Sequence, residues 1–358
     1  DRARAAAETP LTFRQAARAY LEWLERVKGA KPATLRDHNY LLAEPGTPYR
    51  RGSGSHAGTI TAALGDRPAA DVTTREINVM LDDVAVTGAS SRTVNKHRQL
   101  VCAVYSYACQ DATFQLTHNP ATRADRRMEP EPARLDFYST DEIEHLASAL
   151  AEGLHRDPGA SALGHEELLA RRAEDQQDAE LVRIAAYTGL RRGELVALRW
   201  RDVDVSKRKI VVRRAVSANV ETASTKSHRA REVPIPDQAA QTLNRLASRE
   251  EFTSPDDCVF VNRLGRRLDG SAIRRRVERA RDAAGLRPLR FHDLRHTYGS
   301  LLVAGGVDLA SVKSAMGHSR ITTTERYLHA RSASELAERF TRALLGGDTI
   351  LALESSTS

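Results

Sequence analysis

The stretch from Phe291 to His329 reads FHDLRHTYGSLLVAGGVDLASVKSAMGHSRITTTERYLH. Within fewer than forty residues it brings His292, Arg295, His318 and Tyr327, a set of imidazoles, a fixed cation and a phenol, onto short helical segments separated by glycine breaks. A hydrolase or metal enzyme would place carboxylates or cysteines at such a centre. Cations, imidazoles and a tyrosine suit a phosphate held by the protein and attacked by a side chain. His292 and Arg295 stand at i and i+3, so they share a helix face and could serve one anion. The HxxR spacing is equally compatible with a structural pair. His318 follows Gly317, which reads as the glycine ending the helix DLASVKSAM, and Thr322 with Glu325 reads as the capping box of the next. Tyr327 taken by itself would usually be a core or interface residue on an amphipathic helix.

Two upstream motifs could complete such a centre. In TGLRRGEL, Arg191 follows a glycine break at the first turn of a helix, where backbone N–H groups favour an anion. Glu194, three residues on, could pin its guanidinium; the plainer alternative is a surface Arg–Glu pair. Lys226 falls at the tip of a hairpin in STKSHRARE, from which an ammonium could reach into a cleft as a mobile proton donor, or simply remain a solvated turn residue. Only seven residues are Lys, so a well-placed one is more informative than any single Arg.

The elements that must position these residues follow from the apolar pattern. A length of 358 residues suggests two domains of about 100–200 residues each, and 41% apolar composition can build sizeable cores. Residues 1–10 form a lead-in. The stripe Phe13, Ala16, Ala17, Tyr20 marks a helix, Pro32 opens a second, Thr73 with Glu76 caps a third, and SSRTVNKHRQLVCAVYSYACQ makes a fourth. Residues 11–126 are therefore expected as an all-α domain, and 127–137, rich in proline and charge, as a linker. Ser139 with Glu142 caps the first helix of a second domain over 138–345, with 153–178 as a surface insertion carrying a partial helix and 346–358 as a tail. Residues 207–235 alternate as antiparallel strands, KIVVRRAVS, VETAST and REVPIP. The expected fold class is mainly α with a small antiparallel β-sheet.

The net charge of +7 favours a polyanionic partner. Three cysteines, Cys102, Cys109 and Cys258, make no disulfide framework and fit a reducing compartment. No run of 18 or more apolar residues spans a membrane, no secretory signal pattern opens the sequence, and no Walker-type loop is present. A cytoplasmic protein is expected. Dense Arg/Lys runs at 201–214 and 263–281 suit phosphate contacts. Arg92, Asn95 and Lys96, at the start of a helix that could enter a major groove, are candidate DNA contacts, or else a solvated face.

Taken jointly, TGLRRGEL, the hairpin lysine, FHDLRHTYGS and MGHSRITTTERYLH resemble the tyrosine recombinase (phage integrase) family in order and spacing, over about residues 138–345. The N-terminal helices resemble the family's core-binding domain less specifically. The resemblance implies an all-α core-binding (SAM-like) domain followed by a mixed α/β catalytic domain. It implies that Tyr327 is the nucleophile forming a 3′-phosphotyrosyl link, that Arg191 and Arg295 hold the non-bridging oxygens, and that Lys226 protonates the leaving 5′ oxygen. His292 would be base or proton shuttle and His318 a hydrogen-bond donor to the phosphate, with Glu194 behind Arg191. Neither metal nor ATP would be required. Duplex DNA attachment sites, gripped by both domains, a homotetramer on two DNA sites, and an accessory DNA-bending or directionality factor are the implied partners. The helix ending SASELAERFTRALL would dock on a neighbouring protomer. Two other readings share some of these residues: type IB topoisomerase-like relaxation, and a non-catalytic DNA-binding protein of the same fold.

Overall fold

The computed structural model describes residues 10–49, 52–131, 135–156, 164–217, 219–223, 230–330 and 337. The chain forms two compact units, Asp1–Pro132 and Ala133–Ser358. Lys226 and the helix expected after Tyr327 lie outside the described residues.

In the first unit α1 (Phe13–Arg26) begins at Thr12, whose hydroxyl accepts the Gln15 N–H while the Gln15 side chain accepts the Thr12 N–H. This satisfies two N–H groups that a helix start leaves open. Its buried residues Phe13, Ala16, Ala17 and Tyr20 follow the i, i+3, i+4, i+7 stripe. After α2 (Pro32–Leu41), residues 59–64 form a short helix, α3 (Thr59–Leu64). α4 (Thr74–Val86) carries the Thr73–Glu76 capping box, and α5 (Ser91–Ala108) starts at Ser90. Val94, Leu100, Val101, Val104 and Ala108 of α5 join one apolar core with α1, α3 and α4.

The start of α5 corrects one expectation. Asn95 is 4% exposed, and its amide is committed within the fold. Nδ2 donates to the Arg127 carbonyl at 2.9 Å and to Glu129 Oε1 at 3.0 Å, while Oδ1 accepts the Arg127 N–H at 2.8 Å. It ties the post-helical segment to α5, and both its N–H donors are used within the fold. Lys96 pairs with Asp37 at 3.4 Å on the surface, and Arg92 is exposed.

The second unit opens with α6 (Thr140–Ala151), capped by Ser139 and Glu142 as expected. α7 (His165–Thr188) is one 24-residue helix. The partial helix expected within 153–178 is therefore continuous with the apolar helix that follows it; residues 157–163 lie outside the described ones. The apolar period misses this continuity because ion pairs, not apolar contacts, cover the inner face there. Arg156 Nε meets Asp175 at 2.8 Å, Arg263 Nε meets Glu174 at 2.7 Å and Arg276 Nη2 meets Asp178 at 2.8 Å.

After α8 (Arg192–Leu195) come β1 (Val203–Asp204) and β2 (Lys209–Val212), then β3 (Arg214–Ser217), β4 (Val220–Ala223) and β5 (Arg231–Pro234). The run KIVVRRAVS breaks at Arg213. Its first half joins an antiparallel sheet β1-β2-β5 with Ile210 opposite Val233, and its second half pairs with β4 in a separate ribbon. α9 (Asp237–Ala247), α10 (Gly270–Ala283), α11 (Asp293–Ala304), α12 (Leu309–Met316) and α13 (Thr322–Glu325) follow. α13 has Ile321 as its N-cap with no side-chain cap, unlike the Thr322–Glu325 box expected. Part of the two basic runs is neutralised by intramolecular carboxylates: Arg201 by Asp256, Arg208 by Asp237, Arg213 and Arg214 by Asp202, Arg263 by Glu167 and Glu174, and Arg276 by Asp178. Their density in the sequence overstates the charge left for an outside anion.

Candidate active site

The site is built around the C-terminus of α12. A helix end leaves carbonyl groups without intrahelical partners and carries partial negative charge, so cations gather there. Three successive carbonyls at this end each accept from a different arginine: Ala315 from Arg231 Nε at 3.3 Å, Met316 from Arg295 Nη2, and Gly317 from Arg191 Nη2 at 3.2 Å. Gly317 turns the chain away in the left-handed region, φ 63°, which glycine adopts without a steric cost. A Cβ there would also lie 2.6 Å from Arg231 Cδ. Arg295 reaches the Gly189 carbonyl through Nη1 as well, so one buried guanidinium joins the ends of α7 and α12.

Glu194 is the one carboxylate beneath these cations. Its Oε1 and Oε2 each accept from Arg231 at 2.7 Å, and Arg191 adds Nη1 to Oε1 at 2.9 Å and its backbone N–H to Oε2 at 2.8 Å. Burial by itself would raise the Glu194 pKa, but the hydrogen bonds and charge of Arg231 and the charge of Arg191 more than offset this and lower it to about 2. Three guanidiniums (+3) over one carboxylate (−1) leave a surplus of +2. Burial, and next the charge of Arg191, lower Arg295 to about 9, so it stays a cation at neutral pH. A guanidinium has five N–H donors. Arg191 uses two on protein partners among the described residues, which leaves three for an incoming anion.

Tyr327 sits against α11 at Gly299. It is 1% exposed and packs with Tyr298, Val303, Val312, Ala315 and Met316. Its ring lies nearly parallel to His318, 6.2 Å between centroids and 18° between planes. A Cβ on Gly299 would fall 2.7 Å from Tyr327 Cε2 and 2.8 Å from Cζ, so the missing side chain makes room for the ring. The phenol's hydrogen-bond partner is His296 Nδ1, at 3.0 Å. Burial raises the Tyr327 pKa, partly opposed by Arg295, Arg326 and Arg191. Burial first, then neighbouring charge, lowers His296 and His318 to about 4 and also lowers His292. The imidazoles are therefore neutral at pH 7. His318 Nδ1 shares a hydrogen bond with Thr324 Oγ1 at 3.0 Å.

Of the residues singled out by sequence, Arg191, Glu194, Arg295, His318 and Tyr327 converge around α11 and α12, with His292 at the start of α11. Arg92, Asn95 and Lys96 belong to the other unit. Two residues were missed. Arg231 shares the inward face of β5 with the buried Val233, and an arginine on an inward strand position next to the Lys226 hairpin was the available signal. His296 is one turn beyond His292, so the pair and Gly299 form an i, i+4, i+7 stripe.

A surplus of cations at a helix end, beside a buried phenol and neutral imidazoles, defines an anion-binding centre paired with a hydroxyl. No group of three His, Cys, Asp or Glu arranged to hold a metal ion occurs among the described residues. The model of the Phage integrase family matches residues 165–334. Tyrosine recombinase XerC of Pseudomonas fluorescens is 30% identical over 248 residues, covering 68% of this chain and 71% of that protein. Tyrosine recombinase XerC of Corynebacterium efficiens is 34% identical over 171 residues, 48% of this chain and 51% of that protein. The chain thus spans about half the length of the first curated relatives it matches. Among solved structures, the Tn1549 transposon integrase in complex with a circular intermediate DNA superposes with a TM-score of 0.67 at 18% identity, covering 92% of this chain and 99% of that one, a likeness of fold. The chain belongs to the tyrosine recombinases of the phage integrase family.

Proposed function

We propose that this chain is a site-specific DNA recombinase that cleaves and rejoins DNA through a 3′-phosphotyrosyl intermediate, integrating or excising a mobile element. The observation that carries the reading is the +2 surplus of Arg191, Arg231 and Arg295 over Glu194 at the end of α12, beside Tyr327. Arg191 and Arg295 hold the two non-bridging phosphate oxygens and stabilise the charge that grows in the pentavalent transition state. Tyr327 attacks phosphorus and a 5′-hydroxyl leaves, protonated by Lys226. His318 donates a hydrogen bond to the phosphate, and His292 shuttles protons at the start of α11. A later 5′-hydroxyl attacks the phosphotyrosine. One phosphodiester is exchanged for another, so no ATP is needed.

The proposed partner is duplex DNA carrying attachment sites. Two such sites would be joined by four copies of the chain, in a bacterial cytoplasm at the nucleoid, with an accessory bending or directionality factor setting direction. Arg92 and Lys96 are proposed as phosphate contacts of the first unit. Family membership and the DNA-bound fold neighbour support this reading over a non-catalytic binder, which has no use for Tyr327.

A nicked suicide oligonucleotide lets the cleaved 5′ end diffuse away and so traps the adduct. On DNA flanking the gene, the wild-type protein is expected to form a covalent protein–DNA species and Tyr327→Phe none. An adduct formed by Tyr327→Phe would refute the nucleophile. Relaxation of supercoiled plasmid without any site or recombinant product would favour a topoisomerase.

A further inference from the structure

The proton of the Tyr327 hydroxyl has a specific destination in this fold. A phenol of pKa about 10 is a poor nucleophile at neutral pH unless a base takes its proton. Such a base must lie within hydrogen-bond reach, about 2.6–3.2 Å. Among the described residues the Tyr327 hydroxyl has one side-chain partner, His296 Nδ1 at 3.0 Å. The spacing is fixed from both sides. Gly299, one turn along α11 from His296, admits the phenol ring, and His318 stacks on its outer face. The His296 ring in turn meets His292 edge to face, with centroids 5.1 Å apart and planes at 85°.

We propose, resting on the recombinase reading, that His296 is the residue that accepts the Tyr327 proton when the phenol attacks the phosphate. The Tyr327 O–H bond breaks, its proton moves to His296 Nδ1, and the oxygen's electron pair forms the O–P bond. The P–O5′ bond breaks and the leaving oxygen takes its proton from the general acid assigned to Lys226. His292, one turn nearer the start of α11, is then free to face the phosphate with Arg295. The charged and titratable groups around His296 are His292, Asp293 and Arg295 of α11, Arg326 and Tyr327 after α13, and His318 after α12. Burial first, then His292, Arg326 and Arg295, outweigh the opposing charge of Asp293 and keep the imidazole neutral at pH 7, so its Nδ1 lone pair is available to accept.

The test is the pH–rate profile of adduct formation by wild type, His296→Asn and His296→Gln. The probes are suicide oligonucleotides from DNA flanking the gene. Asn keeps an acceptor oxygen near the Nδ1 position but cannot take a proton; Gln is the longer isostere. Whichever variant retains a cooperative melt and wild-type DNA affinity is scored. Loss of a general base is expected to slow adduct formation about 10²–10⁴-fold. The rate of the variant is expected to rise with pH through the neutral range where the wild type is flat, because only the pre-ionised phenolate still reacts. A bridging 5′-phosphorothiolate leaves without protonation, and is expected to leave this defect in place. Substituting a fluorinated tyrosine of lower pKa at position 327 is expected to recover part of the rate. A scored variant within threefold of wild type, a faster variant, or rescue by the phosphorothiolate overturns the assignment. Absence of any wild-type adduct would instead refute the recombinase reading itself.

Discussion

The arginine side and the tyrosine side of the site are held in different ways. Arg191, Arg231 and Arg295 are each fixed to a backbone carbonyl of one helix end, and two of them also share Glu194. Tyr327 is held by one hydrogen bond, one stacked imidazole, the space left by Gly299 and apolar packing against Tyr298, Val312 and Met316. Preorganised charge helps most when it does not have to move as the reaction proceeds. A nucleophile that must approach phosphorus is better held by contacts that can be released one at a time. The cation side is therefore fixed by charge and hydrogen bonds, and the phenol side by packing and a single hydrogen bond.

Removing the carboxylate beneath the arginines should break this contrast most severely. Glu194→Gln leaves Arg231 buried without its charge partner, a change of about 3–5 kcal/mol in comparable pairs. Thermal unfolding and adduct rate should both fall. A variant that melts like the wild type would contradict the central place of Glu194. Acid should act at the same point. The folded pKa of Glu194, about 2, lies below the ordinary 4.5, so its contribution is complete above pH 4.5 and is lost as pH falls toward 2. The shift of 4.5 − 2 = 2.5 corresponds to about 3 kcal/mol. His296 and His318 have folded values near 4, below the ordinary 6.5. Their unfolded forms bind protons first, so stability should begin to decline as pH drops below 6.5. Urea midpoints at pH 7, 5.5, 4 and 3 would trace both windows, and Glu194→Gln should flatten the lower one.

On the tyrosine side, Gly299→Ala sets two effects against each other. Alanine favours the helix by about 0.5–1 kcal/mol over glycine, while overpacking a fitted site costs about 1–3 kcal/mol. With Tyr327 atoms 2.7 and 2.8 Å from the new Cβ, the packing term should win. Expected are a net loss of about 1 kcal/mol and faster nitration of Tyr327 as its ring is displaced. A more stable variant with unchanged nitration would show that the seat is loose.

How far the sequence revealed this site depended on whether a residue's partner was local. Arg191 and Glu194 are three residues apart, and Gly317 announces its helix end, so the first part of the cation cluster could be read directly. Arg231 meets Glu194 across 37 positions, and no local period points to it. His296 was legible in principle from its spacing to His292, but only the fold shows that Gly299 opens the seat for Tyr327. The apolar stripes located α1, α4 and α5 correctly, because each buries hydrocarbon. They give no continuous helix over residues 165–178 of α7, where Asp175 and Asp178 are buried by arginines instead. A polar cluster at a helix start was equally ambiguous. At α11 such residues line the site, whereas Asn95 of α5 is spent on Arg127 and Glu129. Asn95→Ala should therefore cost about 1–3 kcal/mol of stability by stranding buried partners. Arg92→Ala should stay within about 0.5 kcal/mol, and lower the salt dependence of DNA binding by about one phosphate contact. Equal melting curves for the two variants would contradict this division.

The most direct measurement is the position of the DNA bond in the protein. The trapped adduct can be digested with trypsin and nuclease, and the modified peptide sequenced by mass spectrometry. The segment from Tyr327 to Arg331, YLHAR, is predicted to carry a nucleotide 3′-phosphate on Tyr327. A nucleotide on any other residue, or a trapped adduct that leaves this peptide unmodified, would contradict the account.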